Sequence, residues 1–396
     1  MSSVQLDQDI VIVAAKRTPM GGFQGALSSV ASPKLAATAI KGVMQQTGLA
    51  GEQVDEVLMG CVLPAGLGQA PARQATLGAE LPLSVGATTV NKVCGSGMKT
   101  VMLAHDLIKA GSANVVVAGG MESMSQAPYL LDKARDGMRM GHGKVLDHMF
   151  LDGLEDAYTG GAMGTFAQNT ADDFKLTREQ MDSFALSSLE KANAAINSGA
   201  FTDEITPVTV ANRRGDIVVD TDEQPGNARP DKIPTLRPAF AKDGTITAAN
   251  SSSISDGAAA LMLMTRSQAN ELKLDILATI KGHSTHAQEP SMFTTAPVGA
   301  MNKLLNKVNW DKQDVDLFEI NEAFAMVTML AISELGLDAG KVNVNGGACA
   351  LGHPIGCSGA RVLVTLIYAL KARGLKRGVA SLCIGGGEAT AMAIEL

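Results

Sequence analysis

A unit of turn, helix and strand occurs twice in this chain. It appears as CGSGMKTVMLAHDLIKAGSANVVVAGG from Cys94 to Gly120 and again as GCSGARVLVTLIYALKARGLKRGVASLCIGG from Gly356 to Gly386. Each copy reads as a Ser-Gly turn, an apolar helix stopped by a glycine, a short apolar strand and a Gly-Gly. In the first copy Met98, Val101, Met102, His105 and Ile108 recur at helical spacing, and Gly111 marks the stop. The strands NVVVAGG and GVASLCIGG are almost continuously apolar, the pattern of central strands covered by helices on both faces. A chain with two such units is expected to fold as a pseudo-symmetric α/β core of two like halves. His105 falls on the apolar helix face and is expected as a hydrogen-bonded core residue.

Both copies follow a Val-Asn pair, Val90-Asn91 and Val344-Asn345, but the second inserts GGACALGHPI before its turn. His353 sits in that insertion among glycines, which serve where backbone turns sharply or approaches another group closely. Symmetry carries the insertion toward the equivalent turn of the other half, where Cys94 stands at the entry to a helix. Unpaired N–H groups and the positive helix end favour a thiolate there. With a histidine nearby Cys94 reads as a nucleophile, and without one as a packed residue at a tight turn. VASLCIGGGEATA puts Cys383 at the end of a buried strand before three glycines. Their amides suit an oxyanion, although such a Cys also serves simply to pack. In VDLFEINEAFAMVTMLAISELG, Asn321 lies between a strand and a helix ending at Gly336, and is placed to cap that helix.

Residues 124–250 have a different texture, rich in Gly, Pro and charge, with weak periodicity apart from the polar helix TREQMDSFALSSLEKANAAINSG. They read as a loop domain inserted into the first half. The expected division is 1–123 completed by 251–276 for the first half, 124–250 for the insertion and 277–396 for the second half. His142 and His148 are expected on the solvated surface of the insertion.

Hydrophobic residues make up 46% of the 396, enough for a large core, and the formal charge of -7 argues against a general nucleic-acid binder. Acid precedes a short apolar run at the N-terminus, unlike a secretory signal, and no uninterrupted apolar stretch reaches membrane-spanning length. The expectation is a soluble, cytoplasmic protein. The five cysteines, Cys61, Cys94, Cys349, Cys357 and Cys383, contain no C-x-x-C pair and imply neither a disulfide framework nor a zinc site. Cys61 and Cys349 are expected to be small core residues.

The motifs NKVCGSG, GGMESMSQAPY, NEAFA, GGACALGHPIGCSGAR and CIGGG, in that order along the whole chain, resemble the thiolase family, specifically its acetyl-CoA C-acetyltransferases. The opening AAKRTPMGGFQGAL matches as well. The resemblance implies a five-layered αβαβα core of two halves, each with a mixed sheet, assembled as a dimer or a dimer-of-dimers tetramer. It implies an acyltransferase that condenses two acetyl-CoA into acetoacetyl-CoA and CoA, and runs the reverse thiolysis, through an acyl-cysteine. Coenzyme A is then substrate and product, with no separate cofactor and no metal. Cys94 is implied as the nucleophile, His353 as its base and Cys383 as the acid and base for the second substrate. Asn321 would position a water that forms one oxyanion site with His353, and the amides of Cys94 and Gly385 would form the other. Ser252, Phe240 and Met163 map to the pantetheine side, Phe293 and Phe324 to the substrate pocket, and Arg229 to the CoA nucleotide. The Cys94 thiol, roughly 8.5 when free, is expected to be lowered by the base and the helix end.

Two positions depart from the acetoacetyl-specific pattern. Ala162 stands before Met163-Gly164 where that pattern has His, and Phe293 of MFTTAP stands in place of Met. The first opens space beside the thioester. The second sets a rigid ring at the acyl pocket, and its effect is expected to prevail, giving a short-chain preference. The alternative is a degradative 3-ketoacyl-CoA thiolase acting on longer-chain or dicarboxylic substrates. A decarboxylating ketoacyl synthase would carry a second histidine instead of Cys383, and a non-catalytic acyl or sterol carrier would not need Cys94, His353 and Cys383 together.

Overall fold

Alternation in IVIVAAKR organises the middle of the molecule. In strand β1 (Ile10–Arg17) Ile10 and Ile12 face one way and Val11 and Val13 the other, and all four are buried, so the sheet is covered on both sides. The structure, a computed structural model, describes residues 7–396. The first six residues of the acidic lead-in, and of the expected 1–123 unit, lie outside the described residues.

The first half runs β1, helix α1 (Ser32–Thr47), β2 (Glu56–Gly60), α2 (Pro71–Gly78), β3 (Gly86–Val90), α3 (Ser96–Lys109) and β4 (Val116–Ser123), then returns after the insertion as β5 (Ser255–Thr265). The second half is β6 (Ala278–Ala287), α6 (Ala296–Val308), β7 (Leu317–Ile320), α7 (Ala325–Leu335), α8 (Ser358–Arg373), β8 (Arg377–Ile384) and β9 (Glu388–Glu395), with α4 (Met163–Asp173) and α5 (Arg178–Asn197) in the insertion. One ten-stranded sheet has the order β7-β8-β9-β6-β1-β5-β4-β2-β3, with a short Gly21–Gly22 strand off the path. The repeat is visible in the ladder. The pairs β2-β4, β4-β5 and β5-β1 are parallel, antiparallel and antiparallel, as are β7-β8, β8-β9 and β9-β6. The halves join between β1 and β6 through only the pairs Val11–Thr279 and Ile12–Ala278.

Three apolar clusters define five layers. Leu35, Ile40 and Val43 of α1 pack on one outer face with Val57 and Val117, while Met301 and Leu304 of α6 and Leu335 of α7 pack on the other with Phe318 and Val379. Between them, α3 and α8 share a core through Met98, Val101, Leu363 and Leu366. The Ser-Gly of each repeat is needed at this crossing. A Cβ on Gly97 would lie 2.7 Å from the Ala360 nitrogen, and one on Gly359 would collide with the Met98 nitrogen. The two helix N-termini therefore meet back to back, which puts both repeat turns at the same end of the core.

Three local expectations need correction. The first repeat's strand begins at Val116 and not at Asn114, because Asp55 Oδ2 accepts the amides of Asn114 (2.6 Å) and Val115 (3.0 Å) and holds them in a turn. His148 is buried, with Nδ1 2.5 Å from Asp152 Oδ2 and Nε2 accepting the Ala65 amide at 3.3 Å, whereas His142 is exposed. His105 is half-buried and packs against His283, outside the apolar core. The insertion is pinned to the core by Arg17, which is fully buried and pairs with Glu204 (2.5 Å) and Asp222 (2.6 Å).

Candidate active site

Cys94 precedes the first turn of α3, held by Val93 in the left-handed region (φ 46°) and by Gly95 as the cap residue. Its half-buried thiol faces a cavity, and the backbone amides of Gly385 and of Cys94 itself donate toward the sulfur. Those donors lower the pKa, but burial outweighs them and pushes the thiol up to about 11. The expectation of a lowered pKa is thus overturned, because enclosure by two half-domains removes more solvation than a helix end restores.

His353 reaches this point on the inserted loop. At Gly352 the chain turns through φ 100°, where a Cβ would strike the Ser255 hydroxyl. The His353 amide then donates to the Ser253 carbonyl (3.1 Å) and to Ser255 Oγ (3.3 Å), tying the loop to the segment that leads into β5. The imidazole Nδ1 lies 2.6 Å from Ser358 Oγ, whose hydroxyl donates to the Pro354 carbonyl at 3.0 Å. With its proton spent on Pro354, Ser358 accepts from Nδ1–H, and Nε2 keeps its lone pair. Nε2 is buried without a partner among the described residues, and His353 lines the same cavity as Cys94. Burial, then the charge of Arg361, lowers the imidazole pKa to about 3. Burial thus favours the neutral form of both the thiol and the imidazole that line this cavity.

Asn321 is not a helix cap: α7 starts at Ala325 with Phe324 at the cap position. Glu322 explains the delay. Buried between the Ser188 hydroxyl (2.7 Å), Asn343 Nδ2 (2.8 Å) and the Cys349 amide (3.1 Å), it holds the intervening chain out of the helix and anchors the loop that carries His353. Asn321 itself is fully buried behind the imidazole, with Nδ2 3.4 Å from Nδ1 and Oδ1 accepting from Arg361 at 3.4 Å. Cys383 is also buried, packed with Phe293, Phe324 and Met163, and its pKa is raised well above the ordinary value by burial and then by the neighbouring Cys94.

The cavity has a volume of about 370 Å³ and is mostly apolar. Cys94, His353 and Gly385 sit on its wall together with Ala162, Met163, Phe240, Ser252, Phe293 and Phe324. Phe324 meets Phe240 and Phe293 edge-on, at centroid distances of 6.3 and 6.5 Å, so three rings confine one side. Arg229 lies elsewhere, with Lys232 and Asn227 on a second cavity of about 330 Å³. The two cavities share Ala248 and Ser253.

Sequence reasoning missed Ser358, Glu322 and the buried pair Arg361–Glu319 (2.7 Å). A signal was available for the pair. Arg361 is the single charge within SGARVLVTLIYAL, and a cation in so apolar a helix requires a buried acid.

Residues 10–267 match the family model described as the N-terminal domain of thiolase, and residues 274–396 the C-terminal domain of thiolase. Relatives include the acetyl-CoA acetyltransferase of Pseudomonas aeruginosa, 50% identical over 98% of this chain and 99% of its own length. Acetyl-CoA acetyltransferase 2 of Arabidopsis thaliana is 51% identical over 98% and 97% of the two chains. The crystal structure of the Bacillus anthracis acetyl-CoA acetyltransferase superimposes with a TM-score of 0.96 at 43% identity, covering 98% of this chain and 99% of that one.

Proposed function

The chain belongs to the thiolase family, and we propose that it is an acetyl-CoA acetyltransferase, condensing two acetyl-CoA to acetoacetyl-CoA and CoA and catalysing the reverse thiolysis. The observation that carries this reading is the convergence of Cys94, His353 and Gly385 on one small apolar cavity.

In the first half-reaction Cys94 Sγ attacks the thioester carbonyl as its proton passes to His353 Nε2, which the Ser358 contact leaves free to accept it. The amides of Cys94 and Gly385, already aimed at this point, are assigned to the oxyanion of a tetrahedral intermediate. The CoA sulfur leaves, taking the proton of the Cys383 thiol, and the acetyl group remains on Cys94 with the first proton still on His353. In the second half-reaction the Cys383 thiolate takes an α-proton from another acetyl-CoA and is a thiol again. The resulting enolate attacks the acetyl carbonyl, and the Cys94 sulfur departs with the proton from His353 as product forms. An apolar cavity suits both steps, since charge developed there is poorly screened and the fixed amide dipoles act at full strength. Asn321, which backs the imidazole, is assigned to position a water that forms the other oxyanion site with His353.

Ser252 and Phe240 are assigned to pantetheine, and the second cavity, with Arg229 and Lys232, to the nucleotide end of CoA. CoA enters only as substrate and product. Phe293, buried against Phe324, closes the acyl end and favours a short chain. We extend the reading to a homo-oligomer, tetramer or dimer, serving cytoplasmic fatty acid metabolism. No helix among the described residues is long and apolar enough to cross a membrane.

Thiolysis rates for 3-ketoacyl-CoA substrates of increasing length test the proposal. Acetoacetyl-CoA should give the highest catalytic efficiency, and Phe293→Gly should shift the optimum to longer chains. Higher efficiency for chains of about C8 or more would move the protein to the degradative class.

A further inference from the structure

The last turn of α3 and the middle of β6 bring together three ligating side chains that the acyl-transfer chemistry does not use. His105 Nδ1 lies 2.9 Å from Asp106 Oδ1, and His283 Nε2 lies 3.0 Å from the same oxygen. The imidazoles meet edge-on with centroids 5.1 Å apart, and all three ligand atoms fall within 4.8 Å of one another. Among the described residues this is the one group of three such side chains. Adjacent residues on a helix project about 100° apart, so His105 and Asp106 do not converge through helix geometry alone. His283, from the other half of the molecule, completes the set.

We propose that His105, Asp106 and His283 bind a divalent transition-metal ion of the zinc class, with a fourth position open to water. Two imidazole nitrogens and a carboxylate are ligands that Zn²⁺ takes when three protein groups leave one position free. A tetrahedral ion at about 2.0–2.1 Å from each ligand sets the ligand atoms roughly 3.3 Å apart. The N–O separations of 2.9 and 3.0 Å therefore need to open by only a few tenths of an ångström. The Asp106 side chain is 55% exposed and gives an entry path, while the rings are held at 17% and 12% exposure. Asp106 stands in the last turn of α3 (Ser96–Lys109), the end of a helix at which the dipole favours a cation. The opposing charge is Lys307 of α6, whose Nζ donates to the His283 carbonyl oxygen at 3.1 Å and is thereby held on backbone.

An ion here would join the central helix of one half to a strand of the other, and so would stabilise only the folded chain.

The test is a titration of the metal-stripped, full-length protein with Zn²⁺ by calorimetry and with Co²⁺ by visible absorption. The expected result is one ion per chain, a Co²⁺ ligand-field band without thiolate charge transfer, and a rise in melting temperature. All three should disappear in His283→Gln and in Asp106→Asn, whose unchanged thiolysis would report intact folding. Absence of binding, binding retained in both variants, or a thiolate charge-transfer band placing the ion on cysteine would each overturn the proposal.

Discussion

Replacing Ser358 by Ala should disable His353, the proposed base, without touching the cavity wall. In the wild type the 2.6 Å contact from His353 Nδ1 to Ser358 Oγ prevails over the 3.4 Å approach of Asn321 Nδ2, and the proton stays on Nδ1. Without the hydroxyl, a buried N–H is left unsatisfied, which costs about 1–3 kcal/mol. The ring relieves that cost by moving its proton to Nε2 and accepting from Asn321, a tautomer that cannot take the Cys94 proton. At about 1.4 kcal/mol per factor of ten, acyl capture should slow roughly 10- to 100-fold. The assay is the pre-steady-state release of CoA from acetyl-CoA, with the KM for acetyl-CoA and the melting temperature measured alongside. The loss should appear in the rate of the burst and leave KM within a few-fold, and Ser358→Thr, which keeps the hydroxyl, should recover part of it. A burst within twofold of wild type in folded Ser358→Ala would refute the tautomer argument.

Cys383→Ser should retain acetyl transfer to Cys94 while condensation collapses, since its assigned task is proton transfer at the α-carbon; equal loss of both would remove that separate role. Arg361→Met strands the Glu319 carboxyl in the core, where burial already raises its pKa to about 7, and should lower stability in urea by about 3–5 kcal/mol. An unchanged unfolding midpoint would contradict the pairing. With the Cys94 thiol pushed up to about 11, its thiolate fraction grows with pH across the neutral range. Alkylation of Cys94 by iodoacetamide should therefore climb about tenfold per unit between roughly pH 6 and pH 9. A plateau below pH 7 would indicate a preformed thiolate–imidazolium pair.

The pseudo-symmetry was legible because it rests on local pattern. The Ser-Gly turns and apolar helices of the two copies are the crossing of α3 and α8, and the alternation of Ile and Val in β1 is its burial on both faces. What could not be read depends on partners distant in sequence. Asn321 reads as a cap until Glu322 is seen bound to Ser188 and Asn343, which postpones the helix to Ala325. His148 reads as surface until Asp152 and the Ala65 amide enclose it. The Cys94 pKa has the same origin, since a helix end is visible in sequence and the loss of water between two halves is not. Ser358 lay within a motif already singled out, yet its role follows from the Pro354 carbonyl that takes its proton.

The central claim is that Cys94 carries the acyl group. Brief incubation with acetyl-CoA, acid quenching, proteolysis and mass spectrometry of the cysteine peptides measures this directly. One acetyl group per chain is expected on the peptide containing Cys94, absent from Cys94→Ala and retained in Cys383→Ser. Acetyl found on Cys61, Cys357 or Cys383 with none on Cys94 would contradict the account.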